Sequence, residues 1–138
     1  MTAKLRVGIA GYGVVGKRRR HFIDQHPNFQ TVAVCDRDFE TTGALDDGVA
    51  FYTSYSDLIA NPLDAIFVCM TNDIAPTVTI AGLERGMHVF CEKPPGRTVE
   101  DVKRVMDYEA RHDGLKLMYG FNHRYHDSIR KALEIVRS

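Results

Sequence analysis

Short apolar runs alternate with longer mixed segments along this chain from one end to the other. Such runs, bounded by turn residues, are typical of strands buried in a parallel sheet. They predict strands at residues 5–10, 31–35, 50–52, 65–70, 88–91 and 116–120. The segments between them have the length and composition of helices, so the pattern predicts alternating strands and helices.

Start and stop signals place the helices between these strands. Ser54 and Thr98 each begin a capping-box sequence ahead of apolar residues, and Pro76 suits the first turn of a helix. A first helix over about 14–25 has weak amphipathic periodicity, so it is predicted mainly from the glycine-rich sequence before it. The last helix runs to the end of the chain, with apolar residues at helical spacing.

The alternation predicts an α/β fold: one domain over residues 1–138, built on a doubly wound, six-stranded parallel sheet of order 3-2-1-4-5-6. In such sheets, ligands bind beyond the carboxyl ends of the strands, beside the first strand. Polar residues of this chain follow several predicted strands and therefore collect at that edge.

Composition excludes several classes of function. The 138 residues carry 18 basic and 18 acidic side chains, so no global field favours nucleic acid or an anionic membrane. The one basic cluster, Lys17 to Arg20, is interpreted as a solvated helix face. No apolar stretch approaches the ~18–20 residues that cross a bilayer, and the N-terminal run does not resemble a signal peptide, so a cytoplasmic location is expected.

Cysteine and histidine spacing indicates neither a disulfide framework nor a metal site. Cys35, Cys69 and Cys91 fall inside or at the end of predicted strands, where we expect buried small hydrophobes in a reducing compartment. A redox role is the less favoured alternative, since all three approach the same sheet edge. His123 and His126 lack a third ligand, so no metal is predicted.

The most informative motif is the Gly-x-Gly-x-x-Gly turn that follows the first strand. Gly11, Gly13 and Gly16 allow a close backbone approach to a dinucleotide diphosphate at the start of a helix. The predicted contact includes the intervening residues Tyr12, Val14 and Val15.

Asp36 ends the second strand, where a carboxylate accepts hydrogen bonds from the adenosine ribose. This favours NAD over NADP as the cofactor. The neighbouring Arg37 could neutralise a 2′-phosphate, so NADP stays possible.

Several tracts occur in the order and spacing of a known family. They are the glycine turn, the acid after strand two, Met70-Thr71-Asn72, Gly86 to Pro94 with Glu92-Lys93-Pro94, and Gly120 to Tyr125. Together they resemble the glucose–fructose oxidoreductase and inositol dehydrogenase family (Gfo/Idh/MocA). This resemblance implies a Rossmann domain from an NAD(P)-dependent oxidoreductase that acts on sugars, inositols or related polyols.

Lys93 is the candidate catalytic residue. Oxidation of a secondary alcohol requires a cation or donor beside the oxygen that develops alkoxide charge, and a lysine at a strand's carboxyl end can supply it. Glu92 could modulate the protonation of Lys93. Further candidate cofactor contacts are Met70, Thr71, Asn72, Glu92 and Lys93, together with Asn122 and Arg124, which are expected to border the nicotinamide or substrate pocket.

Two departures from the family pattern limit this inference. Ala75 stands where relatives usually have a histidine, and Thr71 replaces a proline. The family also has a second α/β domain that supplies most of the substrate site and the assembly surface. We therefore expect this chain to represent the cofactor domain, binding NAD(H) but turning over polyol feebly by itself.

Two alternatives remain open from the sequence. One is a stand-alone nucleotide-binding or sensing module without catalysis. The other, less favoured, is an S-adenosylmethionine-dependent transferase, which also uses a glycine turn and an acid after strand two. The third glycine and the Glu-Lys-Pro tract count against the transferase.

Overall fold

A computed structural model describes residues 3–138 and shows strands alternating with helices. The strands β1 to β7 are, in chain order, Leu5–Ala10, Phe29–Cys35, Gly43–Ala44, Ala50–Tyr52, Ala65–Val68, His88–Cys91 and Leu117–Tyr119. The helices α1 to α5 are Val14–Gln25, Tyr55–Ile59, Ala75–Glu84, Val99–Glu109 and Asp127–Arg137. A short 3₁₀ helix, Asn122–Tyr125, lies between β7 and α5.

The strands form one sheet of order β3-β4-β2-β1-β5-β6-β7. All neighbours pair in parallel except β3, which runs antiparallel to β4. Apart from β3, the order is the predicted doubly wound one, so the fold class is confirmed. The prediction of six strands missed β3 because its two residues, Gly43 and Ala44, form no apolar run and become a strand only by pairing with Phe51 and Ala50.

Local signals set most of the element boundaries correctly. At α4, the Thr98 side chain accepts from the backbone N–H of Asp101, and the Asp101 carboxylate accepts from that of Thr98, which completes the predicted capping box. Ser54 caps the N-terminus of α2 in a similar way, because its side chain accepts from the backbone N–H of Asp57. Strand β2 begins at Phe29, two residues earlier than predicted, because Phe29 and Gln30 pair with the start of β1.

Each face of the sheet has its own hydrophobic cluster, since successive strand residues point to opposite sides. Ala10 packs in the cluster covered by α2 and α3, whereas Val7 and Ile9 pack with Ile23 of α1 on the other face. The buried residues of α1 are Gly16 and Ile23, two of its twelve. This small buried face agrees with the weak amphipathic periodicity of the helix sequence.

Two predicted helix faces differ from expectation. The spacing of Val102, Val105 and Met106 predicts a single inward face for α4, but Val105 is fully buried whereas Met106 is 58% exposed. In α5, the apolar residues at helical spacing are all exposed, and no residue of that helix is buried. Amphipathic spacing therefore identified the helices without determining which of their faces is covered. Over residues 3–138, no helix combines the length and apolar content needed to cross a bilayer.

Candidate functional site

The carboxyl ends of five strands meet along one edge of the sheet. Parallel register places Ala10 beside both Cys35 and Val68, and continues from Val68 through Cys91 to Tyr119. Backbone hydrogen bonds extend this alignment by one residue: the N–H of Gly11 donates to Cys35 (2.9 Å), that of Cys69 to Ala10 (2.7 Å), that of Glu92 to Val68 (2.9 Å) and that of Gly120 to Cys91 (2.9 Å). The segments that carry the predicted site residues therefore begin side by side.

The three motif glycines have different surroundings. Gly11 has φ +92°, which favours glycine, and a Cβ there would overlap the carbonyl of Cys69. A Cβ on Gly16 would overlap the carbonyl of Gly11, so this glycine permits close packing of α1 on β1. A Cβ on Gly13 would meet nothing within 4 Å, which leaves open space above the turn.

Asp36 is held rigidly beside this turn. Its Oδ2 accepts from the backbone N–H of Tyr12 at 2.7 Å, and its Oδ1 accepts from that of Asp38 at 3.1 Å. The carboxylate thus joins the end of β2 to the glycine turn. Each carboxylate oxygen has a second lone pair, so these bonds leave it able to accept ribose hydroxyls as well.

A groove of about 400 Å³ runs over the turn, and six predicted cofactor-binding residues line it. They are Gly11, Gly13, Asp36, Arg37, Met70 and Thr71. The groove also contains four residues that were not predicted: Asp38, Cys69, Asp73 and Ile74. The sequence feature that could have identified these four residues is their position at or just after the end of a predicted strand. Each of them lies within three residues of a predicted contact.

Acidic groups dominate the charge of this groove. A hydrogen bond from the Thr71 hydroxyl lowers the pKa of Asp73, which keeps that carboxylate ionised near neutral pH. Among the described residues that line the groove, Asp36, Asp38 and Asp73 are balanced by the cation of Arg37, a largely exposed side chain whose Nε lies 3.9 Å from Asp38. This charge balance is less favourable to a 2′-phosphate than to ribose hydroxyls.

Tyr12 contributes differently from its neighbours in the turn. Its ring stacks on Phe39 with centroids 6.3 Å apart, and its hydroxyl accepts from Arg20 at 2.7 Å. It lines an adjoining groove of about 380 Å³ together with Gly13, Lys17 and Asp36. The Tyr12 ring is thus anchored beside the turn.

The remaining predicted contacts of the first half lie near the same groove. Val14 and Val15 form the first turn of α1 and are 77% and 42% exposed, so they present apolar surface at the helix start. Asn72 is half-buried in the turn that joins β5 to α3.

Lys93, Asn122 and Arg124 share a second groove, of about 390 Å³, with Phe121 and His123. Lys93 follows β6, and the other residues follow β7, the next strand in the sheet. The Lys93–Pro94 bond is cis. The structure therefore brings together the three residues predicted to border the reacting groups.

Glu92 is paired with α1. Its Oε1 accepts from Nε of Arg19 at 2.5 Å, and the Arg19 guanidinium lies over the Phe90 ring, 4.9 Å from its centroid. Arg20 is bound as well, to Tyr12, Asp24 and Asp47. The interpretation of the basic cluster as a solvated face is therefore wrong for Arg19 and Arg20, because acids distant in sequence fold back onto them.

The three cysteines are free and lie in or beside the core, as predicted. Burial raises the pKa of Cys35 to about 11 and that of Cys69 to about 12, and it also raises the pKa of Cys91. All three thiols are therefore protonated near neutral pH, which argues against the redox alternative. Among residues 3–138, no group of three or more His, Cys, Asp or Glu side chains is arranged to hold a metal ion.

Comparison with known proteins agrees with the geometry. Residues 5–121 match the Gfo/Idh/MocA profile, described as an oxidoreductase family with an NAD-binding Rossmann fold. The chain is 34% identical over 129 residues to D-glucoside 3-dehydrogenase of Escherichia coli, covering 90% of this chain and 36% of that protein.

The solved structures that superpose on this chain also include dehydrogenases. Myo-inositol 2-dehydrogenase from Lactobacillus plantarum superposes with a TM-score of 0.82 at 31% identity, covering 97% of this chain and 41% of that one. The WlbA dehydrogenase from Bordetella pertussis, solved with NADH and UDP-GlcNAcA, gives 0.84 at 28% identity, covering 98% and 41%. The chain thus spans about two fifths of the length of these proteins.

Proposed function

The chain belongs to the Gfo/Idh/MocA oxidoreductase family, and we propose that it is the cofactor-binding part of an enzyme that transfers hydride between NAD and a secondary alcohol of a sugar, inositol or related polyol. Membership of this family overturns the alternative of an S-adenosylmethionine-dependent transferase. The observation that carries the proposal is the position of Lys93 after β6, between the groove over the glycine turn and the residues that follow β7.

The first groove fits a dinucleotide. The open space above Gly13 admits a diphosphate against the backbone at the start of α1, where free amides and the helix dipole favour negative charge. Asp36, fixed by the backbone amides of Tyr12 and Asp38, accepts the adenosine ribose hydroxyls. The acidic surroundings of Asp36 make NAD the preferred cofactor over NADP.

The second groove fits the reacting alcohol. When bound, NAD supplies the carbon that accepts the hydride. Lys93 holds the substrate oxygen through its Nζ and stabilises the negative charge that develops there as the alcohol gives its proton to solvent water. Asn122 and Arg124 line the same groove and offer an amide and a cation to neighbouring hydroxyls.

The test has two arms that separate cofactor binding from chemistry. Titration of the protein with NADH and NADPH measures cofactor binding, and a panel of inositols, hexoses and pentoses with NAD⁺ measures turnover in the full-length protein. Replacing Lys93 with Met should lower kcat by about 100-fold or more while NADH still binds. The exposed Lys103→Met on α4 is the matched control and should retain full activity.

Each of the two measurements has an outcome that would contradict part of the proposed function. NADH binding without oxidation of any polyol would support the alternative of a nucleotide-binding module without catalysis. Full activity in Lys93→Met would remove Lys93 from the mechanism.

A further inference from the structure

We propose that Arg19 is a positioning residue for Lys93: by holding the Glu92 carboxylate, it leaves the Lys93 ammonium available to the groove shared with Asn122 and Arg124. The inference rests on the proposed role of Lys93 and extends it to a residue that lines neither groove. Arg19 lies in the second turn of α1, after the glycine turn.

The contact between Arg19 and Glu92 has the features of a specific ion pair. Besides the bond from Nε, a terminal guanidinium nitrogen of Arg19 also lies against Glu92 Oε1, and the guanidinium covers the Phe90 ring. The Arg19 side chain is 31% exposed and the Glu92 side chain 12%. A carboxylate so shielded from water requires a partner, and Arg19 supplies it.

Glu92 has little freedom to find water by moving. Its backbone N–H is bound to Val68 on one side. On the other side, a Cβ on Gly120 would already lie 2.9 Å from Glu92 Oε2, so the end of β7 closes over the carboxylate. The side chain is therefore confined between α1 and β7.

Loss of Arg19 would leave this carboxylate beside the next residue in the chain, Lys93. The ionisable groups that face Glu92 are Arg19 and the thiols of Cys69 and Cys91, which stay neutral because burial raises their pKa values; Lys93 is the next residue in the chain. Those that line the groove with Lys93 are His123 and Arg124. Without Arg19, an ion pair between Glu92 and Lys93 becomes the favourable arrangement, and it withdraws the ammonium from the groove.

The first test measures Lys93 directly and needs no turnover. Acylation of lysines by an amine-reactive ester at fixed pH, followed by peptide mass spectrometry, gives the rate at Lys93 relative to exposed Lys103 in the same sample. Arg19→Met should slow the labelling of Lys93 by about threefold, as an added ion pair of ordinary strength would. Arg18→Met, an exposed neighbour on α1, is the matched control and should label as wild type.

A double variant separates this role from a structural one. In a protein with Glu92→Gln, there is no carboxylate to capture Lys93, so adding Arg19→Met should leave the labelling rate as it is in Glu92→Gln alone. A slowing in both backgrounds would overturn the proposal. Arg19→Lys keeps a cation opposite Glu92 and should label close to wild type, and it also serves if Arg19→Met does not fold.

Kinetics of the full-length protein then link the contact to the reaction. Arg19→Met should lower kcat by about threefold or more with little change in the dissociation constant of NADH, and the Glu92→Gln background should abolish that effect. Slowed labelling without any polyol oxidation in the wild type would leave the Arg19 contact standing and refute the proposed function. Polyol oxidation by the wild type, with unchanged labelling in Arg19→Met, would support the proposed function and refute the positioning role of Arg19.

Discussion

Gly16 packs against Gly11 so closely that a Cβ on Gly16 would overlap the carbonyl oxygen of Gly11, whereas a Cβ on Gly13, between them in the chain, would meet nothing within 4 Å. Glycines of the same motif therefore serve two purposes. Gly16 fits α1 onto β1, and Gly13 keeps open the space in which we propose that the diphosphate binds.

This contrast predicts opposite phenotypes for two small substitutions. Gly13→Ala should lower the free energy of unfolding by less than about 1 kcal/mol, since it changes only the residue before α1, yet weaken NADH binding by about tenfold or more. Gly16→Ala should lower the free energy of unfolding by about 1–3 kcal/mol, because backbone must move. Urea denaturation and NADH titration measure the two effects. A folded Gly13→Ala with unchanged NADH affinity would contradict the proposed diphosphate position.

Asp36 should determine the choice of cofactor. Asp36→Ala removes the acceptor for the ribose hydroxyls and one of the acids in the groove, so NADH affinity should fall by about tenfold while NADPH loses much less. The ratio of the two dissociation constants is the measurement. Asp38→Asn lowers the negative charge of the groove while Asp36 keeps its carboxylate, so it should change that ratio less. Equal losses for both cofactors in Asp36→Ala would show that Asp36 acts by holding the turn alone.

Stability should fall at alkaline pH because buried thiols resist ionisation. Cys35 is 1% exposed, and its pKa rises from 9.0 to about 11 on folding. The unfolded chain therefore loses this proton above pH 9 while the folded protein keeps it until about pH 11. Over that window each such thiol lowers the free energy of unfolding by up to about 1.4 kcal/mol per pH unit.

Urea denaturation from pH 7 to 10 checks this dependence, and Cys35→Ala should flatten it. Alkylation offers an independent control. The thiols should react slowly with iodoacetamide at pH 8 in the folded protein and quickly once urea is added. Rapid reaction of Cys35 in the folded protein would contradict its burial.

Arg20 should matter for stability although it lies in a basic cluster. Its side chain is 14% exposed and is bound to Tyr12, Asp24 and Asp47. Arg20→Met should lower the free energy of unfolding by about 1–2 kcal/mol. The effect is no larger because Asp24 and Asp47 are partly exposed, so water screens their attraction to Arg20. Arg18→Met, on the exposed face of the same helix, should change it by less than about 0.5 kcal/mol. Thermal or urea unfolding compares the two.

The local sequence determined the elements and their chain order. Sequence signals are short-range, so the strand at Leu5–Ala10 is predicted from the residues within it, and the helix at Val14–Gln25 from the glycine-rich sequence just before it. The glycine turn and Asp36 were readable for the same reason, because a close backbone approach requires glycine, and strand ends are the place for ligands in this fold.

Tertiary structure alone decided what depends on residues distant in sequence. Arg19 and Glu92 are 73 residues apart, and no local pattern indicates that they bind each other. The strand at Gly43–Ala44 exists only because β4 offers an edge to pair with. Asp73 and Asp38 enter the groove because parallel register aligns the ends of β5 and β2 on either side of β1. Sequence therefore established the fold and the kind of site, whereas packing across the sheet established which charges meet.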